Sequence, residues 1–124
     1  MMYINKNSVN PFICELTLIS NIPGAYYLFE MINDLNPSQI TYWTGQDLSP
    51  YACRFNRFDI IETGSTYVNL TASTMNLRSG SYTYNVYEAT GVTLNISGTT
   101  GRIISQNNKA VVNGEDTEYT NVYR

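Results

Sequence analysis

The chain has 124 residues, a length that suits one domain with its own core and is too short for two ordinary domains. Its net charge of −3, with seven basic residues scattered singly, argues against a nucleic-acid partner, because phosphate binding needs clustered Lys and Arg. The sequence contains neither an apolar run of transmembrane length nor the apolar segment of a signal peptide, so we expect synthesis in the cytoplasm, no export and no membrane partner.

Small uncharged polar residues dominate the composition. The chain contains 15 Asn, 14 Thr and 10 Ser, and its charged residues make up only 14%, against about 25% in typical globular proteins. Asn, Ser and Thr favour turns and solvated strand faces over helices. The 11 tyrosines favour strands, and a hydrophobic fraction of 43% is enough for a core. The composition therefore predicts a β-rich domain.

The first 45 residues predict three strands separated by turn signals. FICELTLIS alternates in polarity and places Cys14, Leu16 and Leu18 on the expected core face. NIPG ends this strand, and the nearly continuous apolar sequence AYYLFEMIN predicts a central strand. After the breaker DLNPSQ, ITYWTG predicts a short strand. The predicted strands span residues 12–20, 25–33 and 40–45.

The middle of the chain predicts a strand in which both faces are mixed. CRFNRFDIIET carries Arg54, Asn56 and Phe58 on one face and further polar and apolar residues on the other. We therefore expect this strand to pack on the core at one end and on another surface at the other end. The segments YVNLTAS and TMNLRSG predict further short strands. The three predictions cover residues 53–63, 67–73 and 74–80.

Residues 80–105 alternate bulky and small polar side chains in two ribbons. SYTYNVYE places Tyr82, Tyr84 and Val86 on one face, EATG has the length of a hairpin loop, and GVTLNIS predicts the second strand. In that second strand, Val92, Leu94 and Ile96 share a face. Three short strands are then predicted at GRIIS, KAVVNG and EYTNVYR, with QNNK as a hairpin loop between the first two.

Seven to nine short strands with regularly spaced turn signals are typical of β-sandwiches and small barrels. We predict an all-β protein in which residues 1–124 form a single antiparallel β-sandwich, Ig-like or jelly-roll-like, with less than about a tenth helix. The expected core residues are Leu16, Leu18, Leu28, Phe55, Tyr84, Val86 and Leu94.

The absence of histidine limits the chemistry that the chain can perform. It removes Ser-His-Asp and Cys-His catalysis and most zinc sites. Of the close carboxylates that remain, Asp59 with Glu62 is a pairing that arises often by chance, and the acidic residues of 113–118 are also explained by a solvated turn. Two cysteines outside any CxxC motif, Cys14 and Cys53, are expected to be buried free thiols. We predict no catalytic residue, no cofactor and no metal site.

Aromatic residues near a predicted loop allow two interpretations. Tyr42, Trp43 and Tyr51 could form a stacking platform for a glycan, as in a carbohydrate-binding module. Alternatively, Trp43 fills the core of the sandwich, as single tryptophans in such folds often do. The composition also suits a protein-protein contact, because interface centres are rich in Tyr and poor in Lys, and this chain has only two lysines.

Three stretches together resemble a known family: NPFICELTLISNIPGAYYLFEMIND, YACRFNRFDIIET and MNLRSGSYTYNVYEA. Their order of strands and turns is similar to that of small virion proteins of tailed phages infecting Bacteroidetes, including the crAss-like group. The resemblance implies a non-enzymatic structural protein, an auxiliary or decoration protein on the outside of the capsid shell. The implied partners are the major capsid protein and other virion proteins such as head fibres. The alternative is a carbohydrate- or receptor-binding module of a phage tail or fibre.

The two terminal segments are the expected attachment points. Residues 1–11 and 113–124 have little core-like patterning but keep apolar and aromatic side chains, so we predict that one or both of these segments order against a neighbouring subunit, most simply by strand addition. If they do not, the contact is expected on the mixed strand face. The candidate interface residues are Tyr3, Ile4, Tyr119, Val122, Tyr123, Arg54 and Phe58.

Overall fold

The computed structural model describes residues 2–15, 26–45, 48–49, 55–63 and 68–114. Within these ranges the secondary structure is almost entirely β, and helical geometry is confined to two three-residue 3₁₀ turns, Leu70–Ala72 and Ile96–Gly98. The all-β prediction is confirmed. The strands are β1 (Met2–Asn5), β2 (Ser8–Cys14), β3 (Tyr26–Asn33), β4 (Ile40–Trp43), β5 (Asn56–Glu62), β6 (Thr74–Met75), β7 (Gly80–Ala89) and β8 (Ile103–Asn113).

The strands form two sheets that pack as a sandwich. The large sheet has the order β1-β8-β7-β3-β4, and the small sheet has the order β2-β5-β6. The β1–β8 and β5–β6 pairs are parallel, and the other pairs are antiparallel. The chain crosses from the large to the small sheet in the two-residue turn at Lys6 and Asn7, where Asn7 adopts a positive φ of 59°. Asn tolerates this left-handed conformation better than most residues.

Aromatic rings from both sheets meet in one core. The Phe29 ring on β3 stacks on Trp43 with centroids 4.1 Å apart, and it meets Phe58 of the small sheet edge-on at 5.2 Å. Phe12 of β2 reaches the same cluster through an edge contact with Tyr84, at 6.0 Å. Stacked and edge-to-face pairs add stabilisation beyond the area that they bury. Because these contacts cross between the sheets, the two sheets depend on one core.

Several strand and core predictions are confirmed. The predicted strands at 25–33, 40–45, 53–63 and 81–88 correspond to β3, β4, β5 and β7, and β3 lies inside its sheet as a central strand should. Of the predicted core, Leu28, Tyr84 and Val86 are buried, whereas Phe55 and Leu94 are only half-buried. Cys14 is a reduced cysteine packed against the core. Leu16, Leu18, Cys53 and residues 118–124 lie outside the described residues.

The predicted strand at 91–97 is wrong. This segment contains a 3₁₀ turn at Ile96–Gly98, and Val92 and Ile96 are exposed. Two facts explain the error. β7 pairs directly with β8, so the segment between them has no sheet position. Its hydroxyl groups also bond locally, as in the hydrogen bond of 2.6 Å from Thr99 Oγ1 to the Ile96 carbonyl, and such bonds compete with strand pairing.

Two further predictions are corrected. QNNK is not a hairpin loop but part of β8, which absorbs extra residues as bulges opposite the span from Tyr84 to Tyr87. Asn107 has a φ of 57° there, and its amide donates to Asn85 Oδ1 at 2.9 Å. The described residues of YVNLTAS, 68–73, contain a 3₁₀ turn at Leu70–Ala72 instead of a strand. TMNLRSG contributes the two residues of β6 and, at its end, Gly80, the first residue of β7.

Candidate functional site

A buried ion pair joins the ends of the two sheets. Lys6 Nζ lies 3.1 Å from Glu62 Oε2, and the side chains are only 4% and 0% exposed. The Glu62 carboxylate also accepts hydrogen bonds from the amides of Leu77, at 2.8 Å, and Asn7, at 3.2 Å. The Lys6 ammonium group donates to the Leu77 carbonyl as well. Each charge is therefore compensated inside the fold, and the pair fixes the β1–β2 turn against the end of β5.

A second buried carboxylate lies on the outward face of the large sheet. Glu30 accepts a hydrogen bond from the Tyr42 hydroxyl at 3.0 Å and another from Asn85 Nδ2 at 2.9 Å. Burial, with the hydrogen bond and charge of Glu30, raises the pKa of Tyr42. Burial and the same charge raise the pKa of Tyr87. Both phenols therefore stay protonated at neutral pH, and Glu30 serves as a structural acceptor.

A third buried carboxylate, Glu88, holds the connection between β7 and β8. It accepts hydrogen bonds of 3.3 Å from Arg102 Nη1 and from Thr100 Oγ1. Within the described ranges, no three His, Cys, Asp or Glu side chains are grouped so that they could hold a metal ion. The same part of the chain contains no helix of the length and hydropathy needed to cross a membrane.

The structure moves two candidate interface residues into the core. Ile4 is fully buried and Phe58 is 1% exposed, so the prediction that they form a contact surface is wrong. Ile4 shares the inward face of β1 with Met2, and Phe58 lies on the inward face of β5 against the Phe29 ring. Strand alternation explains both positions, because a shift of one residue exchanges the inner and outer faces.

Trp43, the central residue of the predicted glycan platform, lies in the core. Trp43 is fully buried and stacked on Phe29, which confirms the core interpretation and contradicts the platform. Its indole Nε1 is buried without a hydrogen-bond partner. Tyr42 is half-buried and bound to Glu30. Tyr51, Arg54, Tyr119, Val122 and Tyr123 lie outside the described residues.

For the N-terminal segment, the described residues 2–11 are ordered by pairing within the chain and not against a neighbour. Met2–Asn5 pairs in parallel with β8, and the strand that begins at Ser8 pairs with β5 of the same chain. Met2 and Ile4 supply buried side chains that the core needs. Of the three candidates that the structure describes, Tyr3, Ile4 and Phe58, only Tyr3 keeps an outward position, and it is 64% exposed.

The outward face of the small sheet carries exposed apolar side chains. On β2, the exposed residues Val9, Pro11 and Ile13 alternate with the inward-facing Phe12 and Cys14. Directly opposite them on β5 lie Ile61, Asp59 and Arg57, respectively. The Arg57 guanidinium Nε is 3.2 Å from Asp59 Oδ1. We call this surface the small-sheet face; it consists of Val9, Pro11, Ile13, Arg57, Asp59 and Ile61.

An open groove of about 360 Å³ lies where the β3–β4 turn approaches the segment after β6. Its walls consist of three amide side chains, two small hydroxyl side chains, one guanidinium group and three larger side chains. These lining residues are Asn33, Gln39, Asn76, Ser38, Thr41, Arg78, Ile40, Leu77 and Tyr82. The groove can therefore hold a small polar ligand, although the Tyr82 hydroxyl is already bound to the Arg78 carbonyl at 2.8 Å.

Comparison with known proteins yields no relative. No protein-family model matches the chain, and neither a curated protein nor a solved structure matches it. Function must therefore be inferred from the chain's own residues.

The sequence contains signals for two features that were not predicted. Glu30 interrupts the apolar run YYLFEMIN, and a single carboxylate inside a central strand indicates an internally bonded group. The alternation of Val9, Pro11 and Ile13 continues the pattern of the first predicted strand toward the N-terminus. It shows that this strand begins earlier, at Ser8.

Proposed function

We propose that this chain is a non-enzymatic structural protein of a phage particle, an auxiliary or decoration protein bound to the outside of the capsid shell. Its main partner in this proposal is the major capsid protein. The sequence resemblance to Bacteroidetes phage virion proteins supports the phage assignment. The three buried carboxylates described above support a structural role, because each is bonded to groups of the fold.

The observation that carries the attachment proposal is the position of β1 at the edge of the large sheet, where Tyr3 is 64% exposed. At the end of this edge, the Asn10 side chain already bonds the backbone N–H and C=O of Asn5. Tyr3 lies opposite Val111 on this edge, and β8 ends two residues later at Asn113. The segment 115–124, which contains Tyr119, Val122 and Tyr123, follows closely in the sequence. An exposed edge strand can accept an added strand from a partner, with exposed aromatic side chains as anchors. We therefore propose Tyr3 and the C-terminal segment as the attachment points.

The test is retention on purified phage shells. Tyr3→Asp and a truncation after Gly114 should each reduce the amount that cosediments with shells, while the parent stays bound at moderately high salt because apolar and main-chain contacts are little screened. Val92→Asp is the matched control, since Val92 is 61% exposed and lies away from β1. Circular dichroism checks folding. Parent protein that does not cosediment, or two variants that bind as well as the parent, would contradict the proposal.

A glycan-binding module of a tail or fibre is the second candidate function. The groove beside the β3–β4 turn favours it, because amide side chains such as Gln39 and Asn76 bond sugar hydroxyls well. Glycan-array binding that Gln39→Ala or Asn76→Ala abolishes, with the fold intact, would favour this candidate over the shell. Gene neighbourhood gives an independent indication, because capsid genes beside this one support the shell and fibre genes support the tail.

A further inference from the structure

We infer that the small-sheet face is a self-association surface, on which two copies of this chain dock face to face about a two-fold axis. The inference does not depend on the proposed function, since Tyr3 and residues 115–124 take no part in it.

The apolar part of the small-sheet face forms a continuous stripe. Val9 is 57% exposed and Ile13 is 62% exposed, and Pro11 lies between them on the same strand. Ile61 lies directly across from Val9 and widens the stripe at that end. Isolated exposed apolar residues are normal on a protein surface, whereas contiguous patches become indicative of interaction sites as they approach a few hundred Å². Contact with another apolar surface would remove the side chains of this stripe from water, which is energetically favourable.

The charges on this face favour a second copy as the occupant. Arg57 and Asp59 are neighbours on the outward side of β5, so the face carries one charge of each sign. In a two-fold interface each residue meets the partner's complementary residue. Arg57 of one copy can therefore approach Asp59 of the other copy, and the reverse contact forms at the same time. A partner with a uniformly charged surface would leave one of the two residues opposed by a like charge.

The position of Pro11 indicates that docking uses the face and not the edge. β2 is an edge strand of the small sheet, but Pro11 lacks the N–H that pairing with an added strand would need. The hydrogen-bond ladder to an added strand would therefore be interrupted at Pro11, in the middle of this edge. The side chains of Val9 and Ile13, by contrast, point away from the core and are open to a facing sheet. Sheet-on-sheet packing is thus the arrangement that this strand allows.

The size of the face sets the expected strength of the contact. Each of the two strands has seven residues and is about 23 Å long and about 5 Å wide, which gives a face of about 230 Å². A stable interface needs about 800 Å² on each partner. We therefore expect a weak dimer that forms as concentration rises.

A pair of charge variants tests the two-fold arrangement. Asp59→Arg gives the face two cations, and Arg57→Asp gives it two anions. Each variant alone should dimerise at least tenfold more weakly than the parent, because like charges meet across the axis. An equimolar mixture should recover an affinity close to that of the parent. Sedimentation velocity over a range of concentrations measures all of these species.

Two further variants separate the apolar contribution from the charges. Ile13→Asp should abolish dimerisation, whereas Val92→Asp changes an equally exposed residue elsewhere and should leave it unchanged. A parent that remains monomeric at millimolar concentration would overturn the inference. So would a mixture of charge variants that stays monomeric, or an equal loss with Val92→Asp.

Discussion

The outward faces of the two sheets are built in opposite ways. On the large sheet, polar side chains bond to one another, as Asp34 does to Thr83 at 2.7 Å and to Lys109 at 3.2 Å. The hydrogen bond from Thr83, together with the hydrogen bond and charge of Lys109, lowers the pKa of Asp34. On the small sheet, Val9 and Ile13 extend into solvent. The bonded polar groups around Asp34 offer little to a partner, whereas the exposed Val9 and Ile13 gain by being covered.

The two outward faces can be compared only if both sheets are stabilised by one core. A substitution at Phe29 tests whether they are. Phe29→Ala removes the ring that touches Trp43, Phe58 and Tyr84, and we expect a loss of about 3–5 kcal/mol in the free energy of unfolding. Both sheets should unfold in one transition, measured by denaturant titration with circular dichroism and tryptophan fluorescence. Two separate transitions would show that the sheets are independent.

The second prediction concerns the Lys6–Glu62 ion pair, which connects the two sheets. Lys6→Met leaves the Glu62 carboxylate buried without its cation, and we expect a loss of about 3 kcal/mol, since an uncompensated buried charge is costly. The double variant Lys6→Met with Glu62→Leu should regain much of this loss. Chemical denaturation of the two single variants and the double variant provides the cycle. Independent, additive effects would mean that the ion pair does not couple the two positions.

The all-β fold and four of its strands could be predicted from the sequence because alternation and turn residues act locally. β3 and β7 illustrate this, since each has a run of β-favouring side chains between breakers. The continuity of β8 could not be predicted, because Asn107 gives the same local signal in a hairpin loop as in a bulge. The bulge is stabilised by Asn85 on the neighbouring strand, whose side-chain oxygen accepts a hydrogen bond from the Asn107 backbone amide.

The candidate site was less predictable than the fold because it depends on strand register. Phe58 and Arg57 are adjacent, yet one is in the core and the other is on the small-sheet face. The pattern of the strand alone leaves both faces mixed, and only the pairing with Phe12 and Ile13 of β2 decides which face is inward. The burial of Ile4 has the same origin, since it depends on pairing with the distant β8.

The third prediction concerns the polar network on the large sheet, which a substitution at Asn85 disrupts. Asn85 donates to Glu30 and accepts from the Asn107 amide, so Asn85→Ala removes a partner from each. We expect a loss of about 1 kcal/mol in the free energy of unfolding, because the buried Glu30 carboxylate loses one of its hydrogen-bond donors, whereas the exposed Asn107 amide can bond water. Thr83→Ala changes a half-buried neighbour on the same strand and face, and it should cost less. Thermal denaturation of the two variants measures the difference, and equal losses would contradict the network.

The fourth prediction compares inner and outer tyrosines at high pH. Burial, with a smaller effect of Cys14, raises the pKa of Tyr84 to about 12, from its ordinary value of 10.0. Unfolded chains lose this proton near pH 10, so the stability that Tyr84 confers is complete below about pH 10 and is lost as the pH rises toward 12. Tyr84→Phe should reduce this loss, whereas Tyr3→Phe, at an exposed position, should not. Urea denaturation at pH 9 to 12 compares the variants.

The smallest effect is expected on the small-sheet face, where stability and association should respond differently. Ile13→Thr changes a side chain that is 62% exposed on a strand, so the free energy of unfolding of the dilute monomer should change by less than about 0.5 kcal/mol. The same substitution removes apolar area from the proposed dimer and should weaken association severalfold. Thermal denaturation at low concentration and sedimentation at high concentration separate the two quantities. A large loss of monomer stability would mean that Ile13 supports the fold itself, and the contrast between the two outward faces would then be a difference in packing and not in readiness for a partner.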